Sequence, residues 1–156
     1  MLTSCSSPKA DMYIENDAYN LTPQEYIDRL NSFVEEQGDS RYLTIPDFEE
    51  SEEPIAIDSI YLTLFLTTDD SGKITEIRYS WDGTREDIGY SIGLYFSYTF
   101  SMLGVEDINL IYDELDMMNV NSNAYETSYD ENGTYFSYDT MGGGAFNHLT
   151  IAPHEL

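Results

Sequence analysis

The chain has 156 residues, 30 acidic side chains against 6 basic ones, and a formal net charge of -24. That length suits one domain with a real core and is short for two, while 41% hydrophobic and 14% aromatic residues make it too apolar to be disordered throughout. A single cysteine leaves no internal disulfide framework and no Cys-based zinc site, and so negative a chain repels phosphate backbones, which argues against nucleic acid as a partner.

The first residues read Met1-Leu2-Thr3-Ser4-Cys5-Ser6-Ser7-Pro8-Lys9. Leu2-Thr3-Ser4-Cys5 resembles the lipobox of bacterial lipoproteins, in which a branched apolar residue and two small ones precede the cysteine that receives the lipid. The resemblance covers four residues. It implies that Cys5 carries a lipid, that the protein sits on the outer side of a cell membrane, and that it touches the membrane only through that lipid. It further implies a leader with a basic start and roughly 7–15 apolar residues, where only Met1 to Ser4 precede Cys5. Residues 6 to 20 are polar, contain Pro8 and show no period. The sequence therefore predicts a flexible tether over 1–20 and a single domain over 21–156. Without the lipid, the alternative is a cytoplasmic interaction protein with a frayed N-terminus.

Thr22, Pro23 and Glu25 form a capping box with proline at the first helical position. Tyr26, Ile27, Leu30, Phe33 and Val34 then recur at helical spacing, and Gly38 stops the helix. A short strand is predicted at Tyr42–Ile45, ended by Pro46. Asp47–Glu53 places five acids in seven residues and reads as a solvated loop. Ile60, Leu62, Leu64 and Leu66 alternate with Tyr61, Thr63, Phe65 and Thr67, which predicts a central strand. It turns at Asp69-Asp70-Ser71-Gly72 and returns over Ile74–Trp81, with Ile77, Tyr79 and Trp81 on one face and Glu76, Arg78 and Ser80 on the other.

Thr84 and Asp87 offer a cap for a second helix running to Leu103 and stopped by Gly104. Ile88–Val105 is 18 residues without a charge, long enough for a membrane span. Its hydroxyl-rich composition and acidic flanks instead read as a helix packed on a sheet. A third helix is predicted over Val105–Met117. Ala124–Tyr129 and Thr134–Asp139 make a hairpin about Asp130-Glu131-Asn132-Gly133. Met141-Gly142-Gly143-Gly144 loosens the chain before a last strand, Ala145–Ile151. The predicted class is α+β: an antiparallel sheet of five to six strands, three helices on one face, and a loose α-β-β repeat.

Gly89-Tyr90-Ser91-Ile92-Gly93 matches the G-x-S-x-G pattern of hydrolase nucleophile elbows, with Asp139 and His148 following in the usual chain order. That elbow requires a buried strand immediately before it, and Arg85-Glu86-Asp87 stands there instead. The pattern then reads as two small residues one turn apart that let the helix approach the sheet. Hydrolysis at Ser91 is kept as the alternative function. The acidic turns do not match a calcium loop, His148 and His154 have the wrong spacing for two ligands on one helix turn, and no Lys-Ser/Thr follows the glycine run as a phosphate loop requires. No catalytic residue, metal ligand or cofactor is assigned.

The last third is rich in tyrosine. Tyr125, Tyr129, Tyr135 and Tyr138 are the candidate binding residues, because alternation cannot bury both faces of a sheet covered on one side, and an exposed tyrosine offers apolar area with a hydroxyl. The predicted function is a non-enzymatic module outside the membrane that binds a protein, peptide or glycan through an open, Tyr-rich sheet face. Its charge favours basic partners.

Overall fold

The computed structural model describes residues 10–117, 124–141 and 144–154. Cys5 lies outside the described residues, as do Gly142 and Gly143.

Residues 10–20, predicted as tether, are packed. A two-stranded hairpin, β1 (Ile14–Glu15) and β2 (Ala18–Tyr19), turns through Asn16 and Asp17 at positive φ. Met12, Ala18 and Tyr19 are buried, and the Tyr19 hydroxyl lies 3.1 Å from Thr134 Oγ1. The apolar side chains are too sparse here to reveal a period, yet Met12, Ala18 and Tyr19 fill core positions, and their burial holds the segment down.

Helix α1 (Pro23–Gln37) forms as predicted. The Thr22 hydroxyl accepts from the Glu25 N–H at 3.2 Å, the Glu25 carboxylate accepts from the Thr22 N–H at 3.4 Å, and Gly38 ends the helix at φ 63°. Tyr26, Ile27, Leu30 and Val34 are its buried stripe.

The strand predicted at Tyr42–Ile45 is absent. Side chains take the place of a ladder partner. Ser91 Oγ accepts from the Leu43 N–H at 2.9 Å, Asn31 brackets both the N–H and the carbonyl of Ile45 at 2.7 and 2.8 Å, and Tyr95 donates its hydroxyl to the Leu43 carbonyl. Polar side chains from α1 and the next helix thus satisfy the backbone as a neighbouring strand would.

The main sheet contains β3 (Ile55–Asp58), β4 (Leu62–Thr68), β5 (Ile74–Trp81), β6 (Tyr125–Glu131), β7 (Thr134–Met141) and β8 (Phe146–Ala152). All its pairings are antiparallel, in the order β3-β4-β5-β8-β7-β6. Two three-stranded meanders therefore meet along β5 and β8. Each follows a helical element: α1 in the first half, and α2 (Glu86–Met102) with α3 (Ile108–Glu114) in the second. The class is α+β, with each half carrying three strands where the predicted repeat had two.

The helices cover one face. Leu62, Leu64, Ile77, Tyr79, Phe136, Tyr138, Leu149 and Ile151 point into the core. Phe96 of α2 meets Tyr79 and Trp81 edge-on at 5.4 and 5.3 Å, and Phe100 meets Phe136 at 5.4 Å. Inside this layer the Tyr26 hydroxyl lies 2.7 Å from both Tyr79 Oη and Thr99 Oγ1.

Helix α2 departs from the sequence reading at its start and on one face. Arg85 occupies the cap position with no side-chain capping bond, because Thr84 donates its hydroxyl to Asp82 at 2.6 Å and Arg85 pairs with Asp87 at 2.7 Å. Gly89 and Gly93 do not bring the helix against the sheet. A methyl group at either would meet nothing within 4 Å. Among the described residues no helix is long and apolar enough to cross a membrane.

Candidate functional site

Among the described residues, the other face of the sheet carries no helix. Strand alternation and the observed register fix its composition. One row runs through every strand: Ala56, Thr63, Ser80, His148, Asp139 and Glu126 are successive cross-strand partners. The next row runs Phe65, Arg78, Thr150, Ser137 and Ser128. Such pairs place Cβ atoms about 5 Å apart, so each row is a line of interacting side chains.

A groove of about 550 Å³ lies over these rows, floored by Phe65, Arg78, Ser80, His148 and Asp139 and walled by Glu52 and Pro54 from the acidic loop. Its size is that of a small-ligand site. Ser80 Oγ lies 2.6 Å from His148 Nδ1. Arg78 reaches Glu76 at 2.5 Å, with nearly half of the Arg78 side chain in solvent. Asp139 Oδ1 is cut off from water and has no hydrogen-bond partner among the described residues.

A second hollow of about 310 Å³ continues from the first, sharing Ser80 and His148 and reaching Ile60, Tyr61, Trp81 and Phe146. This end is apolar and open: Ile60 is 82% exposed, Phe146 62% and Met141 56%. The Arg85 guanidinium lies 4.4 Å from the centre of the Tyr61 ring and steadies it.

One buried side chain holds this end in place. Asn147, between Phe146 and His148, points to the covered face, where Oδ1 accepts from the Tyr138 and Thr140 hydroxyls, both at 2.8 Å. Its Nδ2 donates to the carbonyls of Gly144 at 2.7 Å and Trp81 at 3.4 Å. Gly83 packs against the same point, and a Cβ there would sit 2.4 Å from the Gly144 oxygen. Asn147 therefore ties β5, β7 and the 144–146 turn together directly beneath the exposed Phe146.

The four predicted binding tyrosines do not share a face. Tyr125 and Tyr129 are half-buried and Tyr138 is buried, all on the helix-covered side, and only Tyr135 is on the open side, opposite Ala152. Tyr125 and Tyr138 meet edge-on at 5.9 Å, Tyr125 donates to the Asp116 carbonyl at 2.6 Å, and burial pushes the Tyr138 hydroxyl up to about 12. The open face is therefore not Tyr-rich. The reason is legible in the chain. Tyr125, Thr127 and Tyr129 alternate with Glu126, Ser128 and Asp130, and the acidic set takes the solvent side, which turns the rings inward.

Ser91 is buried in the middle of α2, where its hydroxyl holds Leu43, and it sits on no strand-to-helix bend. His148 stands instead beside Ser80, with Asp139 on its other flank. These are the residue types of a hydrolytic triad, but the arrangement lacks two of its parts. Among the described residues the inner Asp139 oxygen receives no hydrogen bond, and the floor strands are paired on both sides, so their N–H groups are engaged in ladders and not free to stabilise an oxyanion. Among the described residues no three His, Cys, Asp or Glu side chains are placed to share a metal ion. The groove was missed in the sequence because its residues come from β4, β5, β7, β8 and the acidic loop. The only local signal was the polar face Glu76-Arg78-Ser80. Compared with family models, curated proteins and solved structures, the chain matches none.

Proposed function

We propose that this protein is a non-enzymatic binding module that receives its ligand on the uncovered face of the six-stranded sheet. The observation that carries the reading is the continuous depression across β4, β5, β8 and β7, polar at one end and apolar at the other, built on side chains that no other element covers among the described residues. An exposed apolar end beside a polar groove is how a surface prepared for a partner differs from scattered apolar residues. The lipobox-like Leu2-Thr3-Ser4-Cys5 supports attachment through a lipid on Cys5, with the module held outside the membrane.

Two experiments test this. Backbone amide NMR during titration with a mixed library of small cations, anions and neutral molecules places its shifts at Phe65, Arg78, Ser80, Asp139 and His148. Shifts confined to the helical side, or none at all, refute the reading. Expression of the full gene in a bacterium with a labelled fatty acid places label in the membrane fraction for the wild type and none for Cys5→Ser; equal labelling of the two refutes the anchor.

A further inference from the structure

The sheet builds an uncompensated negative site beside an apolar shelf. Asp139 and Glu126 face one another directly across β6 and β7, and two carboxylates opposite each other repel. Neither forms an ion pair among the described residues, and the inner oxygen of Asp139 is out of water and without a donor. A third carboxylate, Glu52, stands on the groove wall. Among the described residues, Arg78 is the cation that lines the groove, and Glu76 on its own strand engages it. Carboxylates of like sign held this close repel one another, so this constellation is relieved by a positive charge and worsened by an anion.

The chain's charge of -24 draws cations toward it from a distance. A bare metal ion is a poor match, because the described residues offer no three-ligand cluster. From the carboxylates the depression continues past His148 and Ser80 to the exposed ring of Phe146 and the side chains of Ile60 and Tyr61. An occupant that fills both ends has a cationic donor at one end and an apolar arm at the other. The groove's volume is that of a small molecule.

Building on the binding function proposed above, we infer that the ligand is a small organic cation, an ammonium or amidinium group carrying an aryl or alkyl arm. Its charged end lies at Asp139 and Glu126, and its arm lies on Phe146 and Ile60.

Three probes of nearly equal shape separate the possibilities: phenethylammonium, phenethyl alcohol and phenylacetate, each titrated into the full chain and followed by amide NMR at low and at 0.5 M salt. The cation should bind roughly five- to tenfold tighter than the alcohol, as expected for one charge pair at a partly screened site, and the anion weakest of the three. The preference for the cation should shrink at high salt and fall at least twofold in Asp139→Asn, which keeps the shape of the side chain and leaves Glu126 charged. Phe146→Ala should weaken the cation and the alcohol alike. Equal binding of all three at the groove, or a preference for phenylacetate, overturns the cationic ligand and leaves the open-face reading intact. An absence of shifts at the groove with every probe overturns both. Titration with calcium chloride is the remaining arm: saturable shifts at Asp139 and Glu126 that abolish phenethylammonium binding would show a metal site in place of an organic one.

Discussion

Replacing Asn147 by leucine tests how the apolar end of the groove is held. Asn147 is 3% exposed, and its amide receives the hydroxyl protons of Tyr138 and Thr140, each itself 4% exposed. Leucine is similar in size and brings no polar atom. Both hydroxyls then lose a partner in a dry setting, at about 1–1.5 kcal/mol each. Lost support to the Gly144 and Trp81 carbonyls adds a smaller cost, since Gly144 keeps its bond from the Gly83 N–H. The total is about 3 kcal/mol, or a fall in Tm of roughly 6–12 °C for a domain of this size. Urea unfolding followed by circular dichroism and by fluorescence of Trp81, the sole tryptophan, reads the effect near its origin. Asn147→Leu combined with Tyr138→Phe and Thr140→Val removes the two hydroxyls that lost Asn147 and should recover about 1–2 kcal/mol of the loss. A single variant within 1 kcal/mol of wild type, or a triple variant less stable than the single one, refutes the network as the source of the support.

Two further outcomes follow from the packing. Gly89→Ala and Gly93→Ala should each raise stability by about 0.5–1 kcal/mol in urea unfolding, because alanine is the better helix former and its methyl group meets open space; destabilisation would mean that this side of α2 packs after all. Alkaline pH should unfold the protein cooperatively. Burial raises Tyr19, Tyr26, Tyr79 and Tyr95 well above their ordinary value near 10. A raised native value means that this stability is complete below pH 10 and is lost as pH climbs past it. Together the four buried phenols withdraw roughly 5 kcal/mol per pH unit above 10, a large part of an ordinary domain's stability. Tyrosinate absorbance and loss of circular dichroism should therefore rise together between about pH 10 and 12; ionisation of all the tyrosines near pH 10 with the fold intact would refute it.

Much of the fold was legible because its signals are local. The capping box at Thr22, the stripe from Tyr26 to Val34, the alternation through Leu62, Leu64 and Leu66, and the Asn132-Gly133 turn each lie within a few residues of what they specify. Misreadings arose where a distant partner decided. Residues 42–45 look like a strand, yet Asn31, Ser91 and Tyr95 claim their backbone groups. Residues 12–19 look like a tether, yet Tyr19 finds Thr134.

By itself the amino-acid sequence determined the class, the acidic character, the antiparallel pairing and which side of each strand is polar, because periodicity and turn chemistry act over one or two turns of chain. Only the tertiary structure decided that Ser80, His148, Asp139 and Glu126 form one line and that Phe146 stands at its edge. That line depends on the registers of β5 with β8 and of β7 with both its neighbours, and moving one strand by a single residue would turn its side chains to the other face and dissolve the site.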